Sequence, residues 1–220
     1  MVDKCPEAWA GGNGYFTAGA HRTAHGGLGD LLLLLGSKPS THEVGRIDVE
    51  PYTTRDFAAD IQRLGNGRSD EELVDFLVDN SRETLKWLRE RVGVDFTLSF
   101  NRQAYEVGGR FKFWGGMALS VNEGGKGLIK AHQKSLKEAG VEMLFNTRAI
   151  ELVMTKGSEG DEVGGIVVTG NEGKMRILRA RSVVLAAGGF EANSEMRAKY
   201  LGEQWRNARV GIYIRSKNLV

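Results

Sequence analysis

From Val183 to Ala187 the chain is apolar without interruption and then turns through Gly188-Gly189, which predicts a strand buried on both faces, as in helix-covered parallel sheets. A helix-compatible run, Phe190 to Tyr200, follows at once, so strand, tight turn and helix N-terminus come in that order. Open α/β sheets bind ligands just outside the carboxyl ends of such strands. Upstream, the periods separate cleanly. Thr54 opens a predicted helix with Phe57, Ile61 and Leu64 on one face, closed by Gly65. Ser69 with Glu72 forms a capping-box pattern. Leu73, Phe76, Leu77, Thr84, Trp87 and Leu88 then recur at helical spacing up to Gly93. A third helix is predicted after Gly124-Gly125-Lys126-Gly127, with Leu128, Ile129, His132, Leu136 and Ala139 on one stripe and Gly140 at its end. Lys130, Lys134 and Lys137 fall on the opposite, solvated face.

Beyond Gly140 the period becomes extended. Runs over 150–155, 163–169 and 175–180, separated by turn signals at 156–161 and 170–173, predict an antiparallel meander leading into Val183–Ala187. The stretch 42–52 reads as an irregular polar connection, 94–122 as an irregular aromatic-rich segment whose rings could cover a flat ligand or, the favoured reading, fill core, and Val210–Ile214 as an isolated strand. The fold class is therefore mixed α/β, with several helices and an antiparallel meander.

Composition changes this picture little. The chain has 220 residues, 41% hydrophobic and 26% charged, with 30 basic and 28 acidic residues and a net charge of +2. That is an ordinary globular balance with no single-sign block, so neither nucleic acid nor a membrane surface is expected as a partner. The longest aliphatic run, Leu31 to Leu35, is too short to span a bilayer, and the start of the chain carries no basic-then-apolar signal pattern. The single Cys5 allows no internal disulfide. These features point to an intracellular, cytoplasmic protein. Glycine departs from the norm: 30 residues are about double the usual ~7%. With three prolines and no low-complexity repeat, they read as closely approached turns.

The candidate chemistry lies in those glycines. The segment 10–20 is glycine- and small-residue-rich, and its backbone N–H groups could line a phosphate or an aromatic ring. Its spacing Gly12, Gly14, Gly19 is not a dinucleotide fingerprint, and Gly124–Gly127 is not a phosphate-binding P-loop because Lys126 is followed by glycine. His21 and His25, four residues apart beside Arg22, could face a carboxylate. Solvated or hydrogen-bonded loop residues are the simpler reading, and no third ligand suggests a metal.

Three ordered motifs together resemble the FAD-binding domain of the fumarate reductase and succinate dehydrogenase flavoprotein family, nearest its tricarballylate-dehydrogenase-like branch. They are Asp3 through Gly19, the stretch around Thr147-Arg148-Ala149, and Val183 through Asn193. The resemblance implies a Rossmann-like domain of the glutathione-reductase type, FAD as cofactor, and hydride transfer at a carbon–carbon bond of a small carboxylate substrate. It implies that Asp3 holds the adenosine ribose hydroxyls. Gly12, Asn13, Gly14, Ala18 and Gly19 border the pyrophosphate and isoalloxazine, Ala149 meets adenine through its backbone, and Ala187 with Gly188 lies against the dinucleotide. The family more often has Glu at Asp3 and Ser at Gly14. Measured against it, residues 1–220 form one incomplete FAD-binding domain, without the leading Gly-x-Gly-x-x-Gly unit and the later substrate-clamping segments. No catalytic residue is assigned within the chain. The competing expectation is a non-catalytic remnant or interaction module that keeps part of the flavoprotein fold.

Overall fold

The computed structural model describes residues 1–157 and 160–208. These divide into one unit formed by Gly14–Val141 and another formed by the first thirteen residues together with the chain from Glu142 onward. The expected strand at Val210–Ile214 lies outside the described residues.

In the Gly14–Val141 unit the elements run β1 (Ala20–His21), α1 (Leu28–Leu32), α2 (Thr41–Val44), β2 (Ile47–Val49), α3 (Thr54–Gly65) and α4 (Glu71–Trp87). They continue through a π-helical turn (Leu88–Val92), β3 (Phe96–Leu98), α5 (Phe100–Gln103), β4 (Ala104–Val107), β5 (Arg110–Phe113), β6 (Leu119–Val121) and α6 (Gly124–Glu138). Two three-stranded sheets result, in the orders β1-β6-β3 and β2-β5-β4, with β2 and β5 parallel and the other pairs antiparallel. The core gathers Leu31, Leu35, Val94, Phe96, Phe113 and Leu119 from both sheets and α1, with Leu128 and Ala131 of α6 packed against it. A second cluster joins Tyr52 and Phe57 to Val74 and Val78.

Several sequence expectations are corrected here. The polar connection 42–52 contains α2, whose capping box is Ser40 with Glu43, and β2. The aromatic stretch 94–122 holds four short strands and α5, and its Phe96 and Phe113 are core, as expected of its rings. Helix α3 is capped by Thr53 with Asp56 and ends at Asn66 in the left-handed region (φ 52°). Helix α4 is capped by Asp70, which accepts from the Leu73 N–H, rather than by Ser69; Asp70 is equally able to cap and stands one residue nearer the first apolar turn. Its buried face is Val74, Val78, Ser81 and Leu85, while Leu73, Phe76, Leu77 and Trp87 of the expected stripe are exposed. Two apolar stripes lie side by side on α4, and spacing alone does not say which one packs.

In the other unit, Val2 makes a parallel bridge to Leu144, and β7 (Arg148–Lys156), β8 (Asp161–Thr169) and β9 (Met175–Arg179) form the expected antiparallel meander. Arg148 pairs with Thr169 and Gly165 with Arg179; the β7–β8 register shifts after Ala149 and after Val153. Helix α7 (Ser194–Leu201) follows, capped by Asn193. The largest correction falls on Val183–Ala187. This run is in no strand, and Val184 and Leu185 are 89% and 73% exposed. A buried strand exists only where neighbours pair with both of its edges, and among the described residues none pairs with this one.

Candidate functional site

Of the residues assigned to the dinucleotide, Asp3, Gly12, Asn13, Ala149, Ala187 and Gly188 belong to one unit, and Gly14, Ala18 and Gly19 to the other. In the first, the backbone brings Asp3 and Ala149 to neighbouring positions. The Asp3 N–H donates to the Leu144 carbonyl (2.9 Å), and the Thr147 N–H returns to the Asp3 carbonyl (3.0 Å), two residues before Ala149. The Asp3 carboxylate accepts from the Cys5 N–H at 2.8 Å and, at long range, from the Gly11 N–H at 3.4 Å. It is thus oriented by its own loop while half-buried, with acceptor capacity left over. Around it lie two cations. Burial, with the Arg148 charge as a lesser cause, pushes the Lys4 ammonium below its ordinary value, and the Arg148 Nε is buried without a hydrogen-bond partner among the described residues. Burial pushes the Cys5 thiol up, which makes it a poor nucleophile.

The 188–206 segment is organised by a residue that sequence reasoning missed. Arg197 of α7 is buried, and its guanidinium donates to three backbone carbonyls: Glu191 (2.5 Å), Trp205 (2.9 Å) and Arg206 (2.6 Å). It ties the chain just beyond Gly188-Gly189 to the turn that follows α7. Gly188 has φ 77° and open space where a Cβ would stand, and Gly12, with φ 55°, is equally open. Gly12, exposed and next to the Gly11 that meets the oriented Asp3 carboxylate, fits a group that needs close backbone approach and a partner for hydroxyls, as an adenine dinucleotide does.

In the other unit the segment 14–19 lies backbone to backbone on the start of α6. The Gly125 N–H donates to the Thr17 carbonyl (2.8 Å), and the Val121 N–H donates to the Gly19 carbonyl (2.9 Å). A Cβ on Gly125 would strike the carbonyl oxygens of Gly14 and Tyr15, and one on Gly19 (φ 73°) would press on Gly124 at 3.0 Å. Gly14 and Ala18 are half-buried and Gly19 buried, with the Lys126 ammonium 6.0 Å from the centre of the Tyr15 ring.

The histidines take the simpler of the two readings. His21 Nδ1 lies 2.9 Å from the Gly19 carbonyl. His25 is buried, its Nδ1 accepts from the Gly27 N–H (3.2 Å), and burial holds its pKa below 6.5, so the neutral ring carries its proton on Nε2. His132 is half-buried and likewise lowered by burial. Among the described residues no group of three or more His, Cys, Asp or Glu side chains could hold a metal ion. No helix there is long and apolar enough to cross a membrane.

Comparison with known proteins agrees with the resemblance. The family model described as "FAD binding domain" matches residues 32–211. A Shewanella frigidimarina (strain NCIMB 400) protein named "Probable fumarate reductase Ifc3" is 28% identical over 200 residues, which cover 91% of this chain and 29% of that protein. Urocanate reductase of Eggerthella lenta is 29% identical over 150 residues, covering 66% of this chain and 23% of the relative. Among solved structures, a flavocytochrome c3 fumarate reductase in its open conformation superimposes with a TM-score of 0.59 at 27% identity, over 90% of this chain and 30% of that one. A 3-ketosteroid-Δ4-(5α)-dehydrogenase from Rhodococcus jostii RHA1 shares the fold at 20% identity, with a TM-score of 0.62 over 94% of this chain. The chain thus spans less than a third of the length of the fumarate reductases it matches.

Proposed function

Because this chain belongs to the FAD binding domain family, of the fumarate reductase type of flavin-dependent oxidoreductase, we propose that it serves hydride transfer at a carbon–carbon bond of a small carboxylate substrate. The observation that carries the reading is the family match across residues 32–211. When bound, FAD supplies the hydride-accepting or hydride-donating ring. The chain's own residues bind and orient. Asp3 accepts from ribose hydroxyls, Ala149 offers its backbone to adenine, and Gly12, Asn13 and Gly188 admit the dinucleotide close to the main chain. Ala187 lies against it, while Gly14, Ala18 and Gly19 border its pyrophosphate and ring. In this reading residues 1–220 belong to a single FAD-binding domain of the Rossmann-like, glutathione-reductase type.

By itself the 220-residue chain is proposed to hold FAD poorly and turn nothing over. Supporting this, Ala186 to Gly189, which should follow a buried strand, is exposed and in no sheet. The same observation favours the second reading, a non-catalytic module. Flavin absorbance of the purified chain and calorimetric titration with FAD separate the two. A dissociation constant in the low micromolar range or tighter would end the claim of poor binding and the non-catalytic reading with it. An absence of measurable binding would agree with the proposed poor retention of FAD by this chain.

A further inference from the structure

We propose that Arg22 is a receptor for a carboxylate group, held ready by Tyr52, Phe57 and Asp60; that this carboxylate is the substrate's rests on the flavin-oxidoreductase reading above. Arg22 follows β1 directly. Its Nη1 donates to the Tyr52 hydroxyl oxygen (2.8 Å) and to Asp60 Oδ2 (3.2 Å), and the Tyr52 hydroxyl donates to the same oxygen (2.9 Å). Both protons of Nη1 are thereby used. The guanidinium carbon lies over the Tyr52 ring at 5.6 Å and over the Phe57 ring at 5.7 Å from the centroids. Tyr52 is itself fixed, since its N–H and carbonyl pair with those of His25 and its ring lies so close to Gly116 that a Cβ there would overlap it.

The donors left over make this more than a tether. In the same unit Arg110 engages Asp48 through both Nε and Nη2, the fork geometry of a structural ion pair. In the other unit Arg197 places all three nitrogens on carbonyls. Arg22 instead leaves Nε and Nη2 without an acceptor among the described residues, and its side chain remains 34% exposed. Asp60 also binds Arg63 through Oδ1 (3.0 Å), so two cations share one carboxylate and the cluster carries a surplus positive charge. A guanidinium seated over two rings, with a free edge and uncompensated charge, matches the two coplanar oxygens of a carboxylate. Exposed Trp114, two residues before Gly116, supplies apolar surface in the loop that runs past the Arg22 stem.

The test uses the 220-residue chain without flavin, labelled with ¹⁵N in its arginine side chains and titrated at low ionic strength with fumarate, dimethyl fumarate and inorganic phosphate. Fumarate is expected to shift the Arg22 Nε resonance saturably, and its neutral ester to leave it unmoved. Arg22→Lys, which keeps the charge and loses the fork, should weaken fumarate binding about tenfold, the equivalent of ~1.4 kcal/mol. Arg63→Ala removes the surplus charge but keeps the fork, and should weaken fumarate binding less than Arg22→Lys does, by about threefold, the equivalent of ~0.6 kcal/mol. Tyr52→Phe retains the ring and removes one orienting bond, and should weaken binding by an intermediate factor. An unmoved Arg22 resonance, an unchanged affinity in Arg22→Lys, or an equal response to phosphate would overturn the inference. So would unchanged affinity in Tyr52→Phe if Arg22→Lys fails to fold. FAD is titrated separately. A chain that binds FAD without this fumarate response overturns the receptor alone, whereas the fumarate response without FAD binding sustains the receptor and agrees with the poor FAD binding proposed for this chain.

Discussion

The two units of this chain treat apolar surface in opposite ways. In Gly14–Val141, Leu31, Phe96 and Leu119 are fully enclosed, and two side-chain clusters account for most buried positions. In the other unit, Ala10 and Val168 are the fully buried apolar residues among those described, while the meander shows Ile150, Met154, Met175 and Ile177 to solvent and Val184 and Leu185 stand bare. Both units contain strands of good β-forming sequence. The difference lies in closure: a strand or stripe becomes core only when a second layer covers it. Apolar sequence states what a segment could bury, and the neighbours decide what it does bury.

Substitutions can break this contrast or sharpen it. Phe96→Ala should have the largest effect, about 3–5 kcal/mol as for other buried aromatic truncations, read as a fall in the denaturation midpoint of the Gly14–Val141 unit. Destabilisation below ~1 kcal/mol would mean that this core is not tightly packed. Arg197→Met comes next, on the order of 2–3 kcal/mol, because it strips charged donors from three carbonyls at once. Its loss should appear as faster hydrogen exchange and proteolysis between residues 188 and 206, with the Phe96 region unaffected.

Acidification should act on the first unit by a smaller amount. His25 and His132 have folded-state pKa values below the ordinary 6.5, so the unfolded chain takes up protons more readily. Stability is therefore full above about pH 6.5 and declines as pH falls through that value. His25→Gln should flatten the dependence in pH-resolved unfolding, and an unchanged slope would show that the buried ring does not couple to folding. Smallest of all, Leu185→Ser should change stability by less than about 0.5 kcal/mol, because the side chain is already in water. A larger loss would show that this run is covered in solution.

Much of the local structure was legible. The change of period at Gly140 marks the meander, since alternation and turn residues there are local properties of the chain. The helices at 54–65, 71–87 and 124–138 carry their own periodicity and caps. What escaped reading depends on partners distant in sequence. Residues 47–49 and 110–113 are too short to announce themselves and become strands by pairing with each other. Val183–Ala187 reads as a central strand but has no partner among the described residues. The motifs named the flavoprotein family, yet the Arg22–Tyr52–Asp60 cluster draws residues from the position just after β1, the segment before α3 and α3 itself, and no spacing rule connects those positions. Arg197 was hidden in the same way, because carbonyl acceptors leave no trace in residue type.

The seating of residues 14–19 on the start of α6 has a mechanical side. Glycines at both surfaces leave no side chain between the two backbones to act as a cushion, and hydrogen bonds from Val121 and Gly125 pin the segment at two points. The segment cannot flex by sliding a rotamer; it moves with the helix or not at all. A group resting on residues 14–19 would therefore bear directly, with no side chain between, on the first turn of α6 and the end of β6.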